Sequence, residues 1–305
     1  MARAPGRGVS TQPALSRRGA LALPALAAAP PSAARAAPAP SGVRPFYVPS
    51  VWGRTHGVAA GPPLRAGARP LVLLHLMPFS SAWFRPLQLA MPGRPTLAFD
   101  LAGSGGSSPP PAPVRFEAYA DAIIAALDQL GVGRFDLLGY HTGAGVAAVM
   151  ANALGARVGR LILAGVPLFD AAERAARAPT VRPRDYVGAP ETVDARWRQT
   201  LAWLSGMAPE RIVELFAESL RSGANGHWPV QAILSWDGAA ALSAIRQETL
   251  VPVLDEGLKP NTIAAAALIP RARRADLAGF GETAFDLRAG EIAALIEGFL
   301  SAPAA

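Results

Sequence analysis

The chain has 305 residues, of which 51% are hydrophobic and 17% charged, and its mean hydropathy is +0.24. That balance excludes a disordered chain, which is poor in apolar residues and rich in charge. It leaves room for one large domain or two small ones with a full core. There is no cysteine, which excludes disulfides, thiolate metal ligation, thiol catalysis and a lipid anchor on cysteine. Most of the net charge of +7 resides at one end: Arg3, Arg7, Arg17, Arg18 and Arg35 lie in the first 36 residues, which hold no acid. Taking those five from the 29 basic residues leaves 24 against 22 acids. A body so near neutrality has no electrostatic footprint for phosphate backbones, so no nucleic-acid partner is expected.

Residues 1–36 read as an export signal. A basic start ends in Ser16-Arg17-Arg18-Gly19-Ala20-Leu21, an apolar stretch runs from Gly19 to Ala29, and Ala34-Arg35-Ala36 supplies an A-x-A cleavage pattern. Basic start, apolar middle and small-residue exit are the parts of a secretory signal, and the adjacent arginines match the twin-arginine address. The apolar stretch is shorter than the ~20 residues that cross a bilayer, so no stable membrane anchor is expected. Cleavage near Ala36 would leave residues 37–305 as a periplasmic or secreted protein.

Short apolar runs bounded by turn residues follow: Leu71–His75, Thr96–Asp100, Phe135–Gly139, Arg160–Ala164 and Val251–Leu254. Their length and continuous apolarity predict strands buried on both faces. Helical spacing predicts helices over Phe116–Leu130, Thr142–Leu154 and Glu291–Leu300, the first two stopped by Gly131 and Gly155. Strands alternating with helices predict an α/β fold with a mostly parallel, doubly wound sheet. Between about 166 and 246 the alternation breaks. That stretch is too long for a loop and predicts a helical cap insertion, with Trp197, Trp203, Trp228 and Trp236 pinning cap to core or lining a pocket.

Three predicted strands end in punctuation: His75-Leu76-Met77-Pro78 after the first, Asp100-Leu101-Ala102-Gly103-Ser104-Gly105 after the second, and Gly139-Tyr140-His141-Thr142-Gly143-Ala144-Gly145 after the third. The last has the form of a strand–turn–helix elbow, whose glycines admit close backbones and whose central side chain is thrust to the carboxyl edge of the sheet. In that order and context, the chain from about Val43 to Leu300 resembles the α/β-hydrolase superfamily, including a cap and a closing strand–turn–helix around Arg273 to Glu282. The resemblance implies an α/β-hydrolase fold and a hydrolase.

The resemblance also shows where this chain departs. The family places Ser at the elbow, or Asp or Cys in some branches, and this chain has His141. The family's base is a His in a G-x-G-H run, and the matching run here is Gly279-Phe280-Gly281-Glu282. The third member is expected after the Val251–Leu254 strand, where Asp255 and Glu256 stand; Asp170 is the alternative. Without a hydroxyl at the elbow or an imidazole at the base position, the Ser–His route to an acyl-enzyme has no residues to run it. Two chemistries stay open for an atypical triad of His141, Glu282 and Asp255. Glu282 accepts the Nδ1–H of His141 and Nε2 deprotonates water, or His141 attacks the acyl carbon itself. By resemblance, the backbone N–H groups of Leu76 and Thr142 supply the oxyanion hole.

The function expected is hydrolysis of a small apolar ester or related acyl substrate. The alternatives are a catalytically inactive ligand-binding protein and a cofactor-free lyase. No cofactor and no metal are implied: His56, His75, His141 and His227 are scattered, and no H-E-x-x-H is present. His75 is expected to be structural, and His56 and His227 to be surface or packing residues.

Overall fold

The computed structural model describes residues 1–2 and 42–303. The export-signal reading at residues 1–36 therefore lies outside the described residues, apart from the first two. The chain divides into two units, Met1–Pro40 and Ser41–Ala305, and every element below belongs to the second. It opens with a hairpin, β1 (Arg44–Ser50) and β2 (Gly53–Ala60), then β3 (Leu71–Leu74), helix α1 (Arg85–Leu89), β4 (Thr96–Phe99) and α2 (Phe116–Gln129). Next come β5 (Phe135–Tyr140), α3 (Thr142–Leu154) and β6 (Val158–Ala164). Five helices follow without a strand: α4 (Ala171–Arg177), α5 (Glu191–Trp203), α6 (Pro209–Leu220), α7 (Trp228–Ser235) and α8 (Gly238–Ser243). The chain closes with β7 (Glu248–Leu254), α9 (Lys259–Leu268), β8 (Ala272–Leu277), α10 (Ala284–Leu287) and α11 (Ala289–Ser301).

Among the described residues the strands form one eight-stranded sheet in the order β1-β2-β4-β3-β5-β6-β7-β8. The β1–β2 and β2–β4 pairs are antiparallel and all others parallel. The unbroken apolar runs have a plain cause. On β3, Val72 and Leu74 pack into one core layer and Leu71 and Leu73 into the other. Side chains alternate across a strand, so a sheet covered on both faces needs apolar residues at every position. The first layer joins the sheet to α2 and α3 through Phe116, Ile123, Val146 and Met150; the second joins it to α1 and α11 through Leu87, Ile292 and Ile296.

The five predicted strands are present with shifted ends. The first stops at Leu74, so His75 belongs to the turn; the third continues to Tyr140; the last begins at Glu248. The insertion between β6 and β7 is helical. Its later part is not detached from the core: Ala232, Ile233, Trp236 and Leu242 join the layer with α2 and α3. No helix of the described residues is long and apolar enough to cross a membrane.

Candidate active site

The elbow is built by backbone crowding. A Cβ on Gly139 would overlap the Gly143 carbonyl, and one on Gly143 would overlap the Leu74 carbonyl. Strand β5 can therefore turn into α3 against the end of β3 only with glycine at both places. The turn throws His141 to φ 50 and ψ −116, and it is the one non-glycine residue at positive φ among the described residues. Such a conformation costs on the order of 1–3 kcal/mol and persists where the surroundings over-determine it. Here the His141 N–H donates to the Ala164 carbonyl at 3.1 Å, and the Gly143 N–H to the His75 carbonyl at 3.1 Å.

His141 meets a carboxylate other than the expected one. Its Nε2 lies 3.0 Å from Glu256 Oε2, and the Glu256 side chain is 1% exposed. The Tyr140 hydroxyl donates to the same oxygen at 2.5 Å. Burial, and then Glu256 beside it, push the Tyr140 phenol well above its ordinary value, so it stays a donor. Glu256 Oε1 is buried with no hydrogen-bond partner. It sits with the imidazole over Gly165 (φ +54), where a Cβ would overlap both His141 and Glu256. The His141 side chain is 20% exposed, so the imidazole reaches solvent while its carboxylate partner does not.

Glu282 stands beside this pair rather than in it. It accepts the Gly257 N–H and lies close enough to His141 and Glu256 to feel both charges. Burial, and secondly Glu256, raise its carboxyl above the ordinary value, although His141 and the Gly257 N–H work against them. Asp255 points away: Lys259 Nζ donates to its Oδ1 at 2.6 Å and the Gly279 N–H to its Oδ2 at 2.5 Å, in an exposed turn. Asp170 caps α4 in a capping box with Glu173. The acid on the elbow imidazole is thus Glu256, on Nε2 rather than Nδ1.

Leu76, expected with Thr142 as an oxyanion donor, lies in the turn after β3. Thr142 is the first residue of α3, where a helix leaves its N–H without an intrahelical acceptor. Among the described residues neither N–H donates to a protein group. His75, fully buried, donates through Nδ1 to the Leu76 carbonyl at 2.8 Å and accepts the Leu101 N–H at Nε2 at 3.0 Å. Burial lowers its pKa against the pull of Asp100, so it is a neutral strut between two turns. His56, expected to be a surface or packing residue, donates through Nδ1 to the buried Asp100 at 2.6 Å. Among the described residues no group of three or more His, Asp or Glu is placed to hold a metal ion.

Tyr140 is what the sequence did not single out as a partner of the elbow, and Glu256 stood there only as one of two candidate third acids, behind Asp255. Tyr140 reads as one more apolar strand residue. The signal for Glu256 was indirect: Asp255 and Lys259 stand four apart, the spacing of a surface ion pair, which removes Asp255 and leaves its neighbour.

Comparison with known proteins gives this geometry a context. Residues 69–251 match the model of the family described as alpha/beta hydrolase fold. A poly(3-hydroxyalkanoate) depolymerase from Ectopseudomonas oleovorans is 29% identical over 172 residues, which cover 54% of this chain and 59% of that protein. The match thus spans less than two thirds of that relative. Among solved structures, the enol-lactonase from Burkholderia xenovorans superposes with a TM-score of 0.68 at 19% identity, covering 84% of this chain and 100% of that one. An esterase from Thermogutta terrifontis superposes with a TM-score of 0.69 at 18% identity, covering 84% and 98%. Identities this low speak for the fold alone. The family match takes in more than half the chain, with the elbow and the His75–Leu76 turn inside it, and the protein belongs to the alpha/beta hydrolase fold family.

Proposed function

We infer that the protein hydrolyses a small, largely apolar ester or related acyl substrate, with His141 as base and Glu256 as its positioning residue. The observation that supports this is the strained elbow imidazole held through Nε2 on a buried carboxylate. Glu256 accepts Nε2–H, which fixes the tautomer and leaves the Nδ1 lone pair free. Nδ1 takes a proton from water as the hydroxide adds to the acyl carbon. The carbonyl oxygen gains charge in front of the Leu76 and Thr142 N–H groups, which is where fixed donors lower a barrier most. Collapse breaks the bond to the alkoxide, and the leaving oxygen takes the proton back from Nδ1. In the direct-attack variant Nδ1 itself bonds to the acyl carbon, collapse breaks the bond to the alkoxide, the leaving oxygen takes a proton from water, and the hydroxide so formed cleaves the acyl-imidazolium to give the acid and the free imidazole. The curated relative acts on a polyester by its name, which agrees with ester chemistry.

A second reading, a binding protein without turnover, is favoured by one observation: no hydroxyl or carboxylate nucleophile stands at the elbow. An acyl-ester panel with wild type, His141→Ala and Glu256→Gln separates the two. We expect turnover in the wild type, loss by at least about 100-fold in His141→Ala, the scale of removing a general base, and a smaller loss in Glu256→Gln. Turnover unchanged in His141→Ala overturns the assignment. No turnover by any folded form favours the binding protein.

A further inference from the structure

Three arginines are buried among the described residues: Arg160, Arg196 and Arg211. Arg160 pairs with Glu248, and Arg211 with Glu214 and Asp286. Arg196, on α5 and 3% exposed, has no carboxylate. Its Nε donates to Ser219 Oγ at 3.3 Å and its Nη1 to Gln199 Oε1 at 2.8 Å, and the guanidinium carbon lies 5.9 Å from the centre of the Trp203 ring. Its Nη2 is buried and donates to nothing. Burial, and then the like charge of Arg184, pull its pKa down to about 10, so it is still a cation at neutral pH. A buried, unpaired guanidinium is expensive to keep.

Arg196 lines a cavity of about 180 Å³ between the helical insertion and the turn after β3. Arg182, Arg184 and His227 also line it, and no Asp or Glu does. Nearby acids are engaged elsewhere: Asp185 accepts the N–H groups of Val187 and Gly188, and Glu218 pairs with Arg221. The rest of the wall sets the apolar side chains of Met77, Val181, Trp203 and Val230 beside the polar ones of Thr180, Tyr186, Gln199 and Ser219. Met77 and Pro78 directly follow Leu76, so the cavity borders the turn that carries one oxyanion N–H.

We propose that this cavity is a carboxylate-binding subsite in which the Arg196 guanidinium, with Arg182 and Arg184 at the rim, holds the carboxylate of a short-chain organic acid against the apolar side chains of the wall. Resting on the hydrolase reading above, the substrate is then an ester or lactone carrying a free carboxylate remote from the scissile bond. A guanidinium suits this role because its planar donors match a carboxylate. The apolar side chains of Met77, Val181, Trp203 and Val230 favour an organic chain over a bare inorganic anion.

The test is calorimetric titration of the whole protein with hexanoate, hexanamide and inorganic phosphate, on wild type, Arg196→Met and Arg196→Lys. We expect hexanoate to bind at least about ten-fold tighter than hexanamide, as charge-assisted hydrogen bonds require. Arg196→Met should abolish the preference and Arg196→Lys retain part of it. Equal binding of hexanoate and hexanamide, or phosphate binding as tightly as hexanoate, overturns the proposal, as does an unchanged preference in a folded Arg196→Met protein. Should Arg196→Met fail to fold, the wild-type ligand comparison decides alone. Monomethyl adipate against dimethyl adipate then reads the substrate. A kcat/KM at least about ten-fold higher for the half-ester is expected on the same grounds, and equal values overturn the substrate class. Hexanoate selectivity with neither ester hydrolysed supports the subsite and counts against the hydrolase reading.

Discussion

Gly165 connects backbone strain to the site. It leaves β6 at φ +54, and its missing side chain is the space in which the His141 ring and Glu256 Oε1 sit. Gly165→Ala therefore meets two penalties, the left-handed backbone and overlap with both site residues. We expect a loss of about 1–3 kcal/mol in urea unfolding together with loss of ester turnover; wild-type stability and activity would show that the pair has room to move. Glu282 makes a different prediction, read in pH. Its carboxyl is raised in the folded state, chiefly by burial and then by Glu256. The folded protein therefore holds this proton after the unfolded chain has released its own, and the associated stability, present below the ordinary Glu value of about 4.3, is lost as pH rises through the folded value. Glu282→Gln removes that titration. Its Tm should match wild type near pH 4 and exceed it at pH 7–8, on the ordinary carboxylate scale; a Tm below wild type at pH 7–8 would mean that attraction to His141 outweighs burial and Glu256. The site's histidine was legible because the glycines around it follow from steric necessity along five consecutive residues. Its acid was not, because the choice between Asp255 and Glu256 depends on how the chain turns after β7. That turn sends one carboxylate to Lys259 and the Gly279 N–H and the other under the elbow.

At the level of elements, the turn after β4 is as constrained as the elbow and rests on one buried carboxylate. Asp100 accepts from His56 Nδ1 at 2.6 Å, the Ser81 N–H at 2.7 Å and the Gly106 N–H at 2.7 Å, which ties β2, the segment before α1 and the Gly-rich turn to β4. Burial would raise this carboxyl, but His56, His75 and the two N–H groups outweigh it and hold it below its ordinary value. The stability it contributes is thus present above the unfolded value of about 3.9 and fades as pH falls through the folded one. Asp100→Asn leaves buried donors facing an amide and should cost about 2–4 kcal/mol at pH 7, with the difference shrinking only below the unfolded value of about 3.9, as pH falls toward the lower folded one. Equal stability at pH 7 would show that water replaces the lost acceptor. The His56–Asp100 pair was hidden from sequence reading because 44 residues separate its members. The central strands were legible for the opposite reason: burial on both faces writes itself as continuous Leu, Val, Ile and Phe. The β1–β2 hairpin is marked by no such run. Its strands are half-exposed and carry Pro45, Pro49, Gly53 and Gly57, so neither an apolar run nor strict alternation appears.

Over the whole molecule, charge and chemistry are separated along the chain. Most of the basic excess resides in residues 1–36, whereas every group at the candidate site lies in the Ser41–Ala305 unit. We propose that the first segment is an address removed on export by the twin-arginine route, as its Ser16-Arg17-Arg18 start and Ala34-Arg35-Ala36 exit suggest. That route carries proteins already folded, which suits a chain whose elbow sets four elements against one another before any chemistry is possible. Expressed in a bacterium with this pathway, the protein recovered outside the cytoplasm should have an intact mass corresponding to a start at Ala37. Its net charge should be +2, the difference between the 24 basic and 22 acidic residues that remain, so it should leave a cation exchanger at far lower salt than the full chain. Changing Arg17 and Arg18 together to Lys should stop export without changing the Tm of the protein purified from the cytoplasm, because a receptor reads the arginine pair and the fold does not use it. Export undiminished in the double variant, with the same processed mass, would assign the segment to the general secretory route. An unprocessed chain confined to the cytoplasm would remove the address altogether and place the substrate inside the cell.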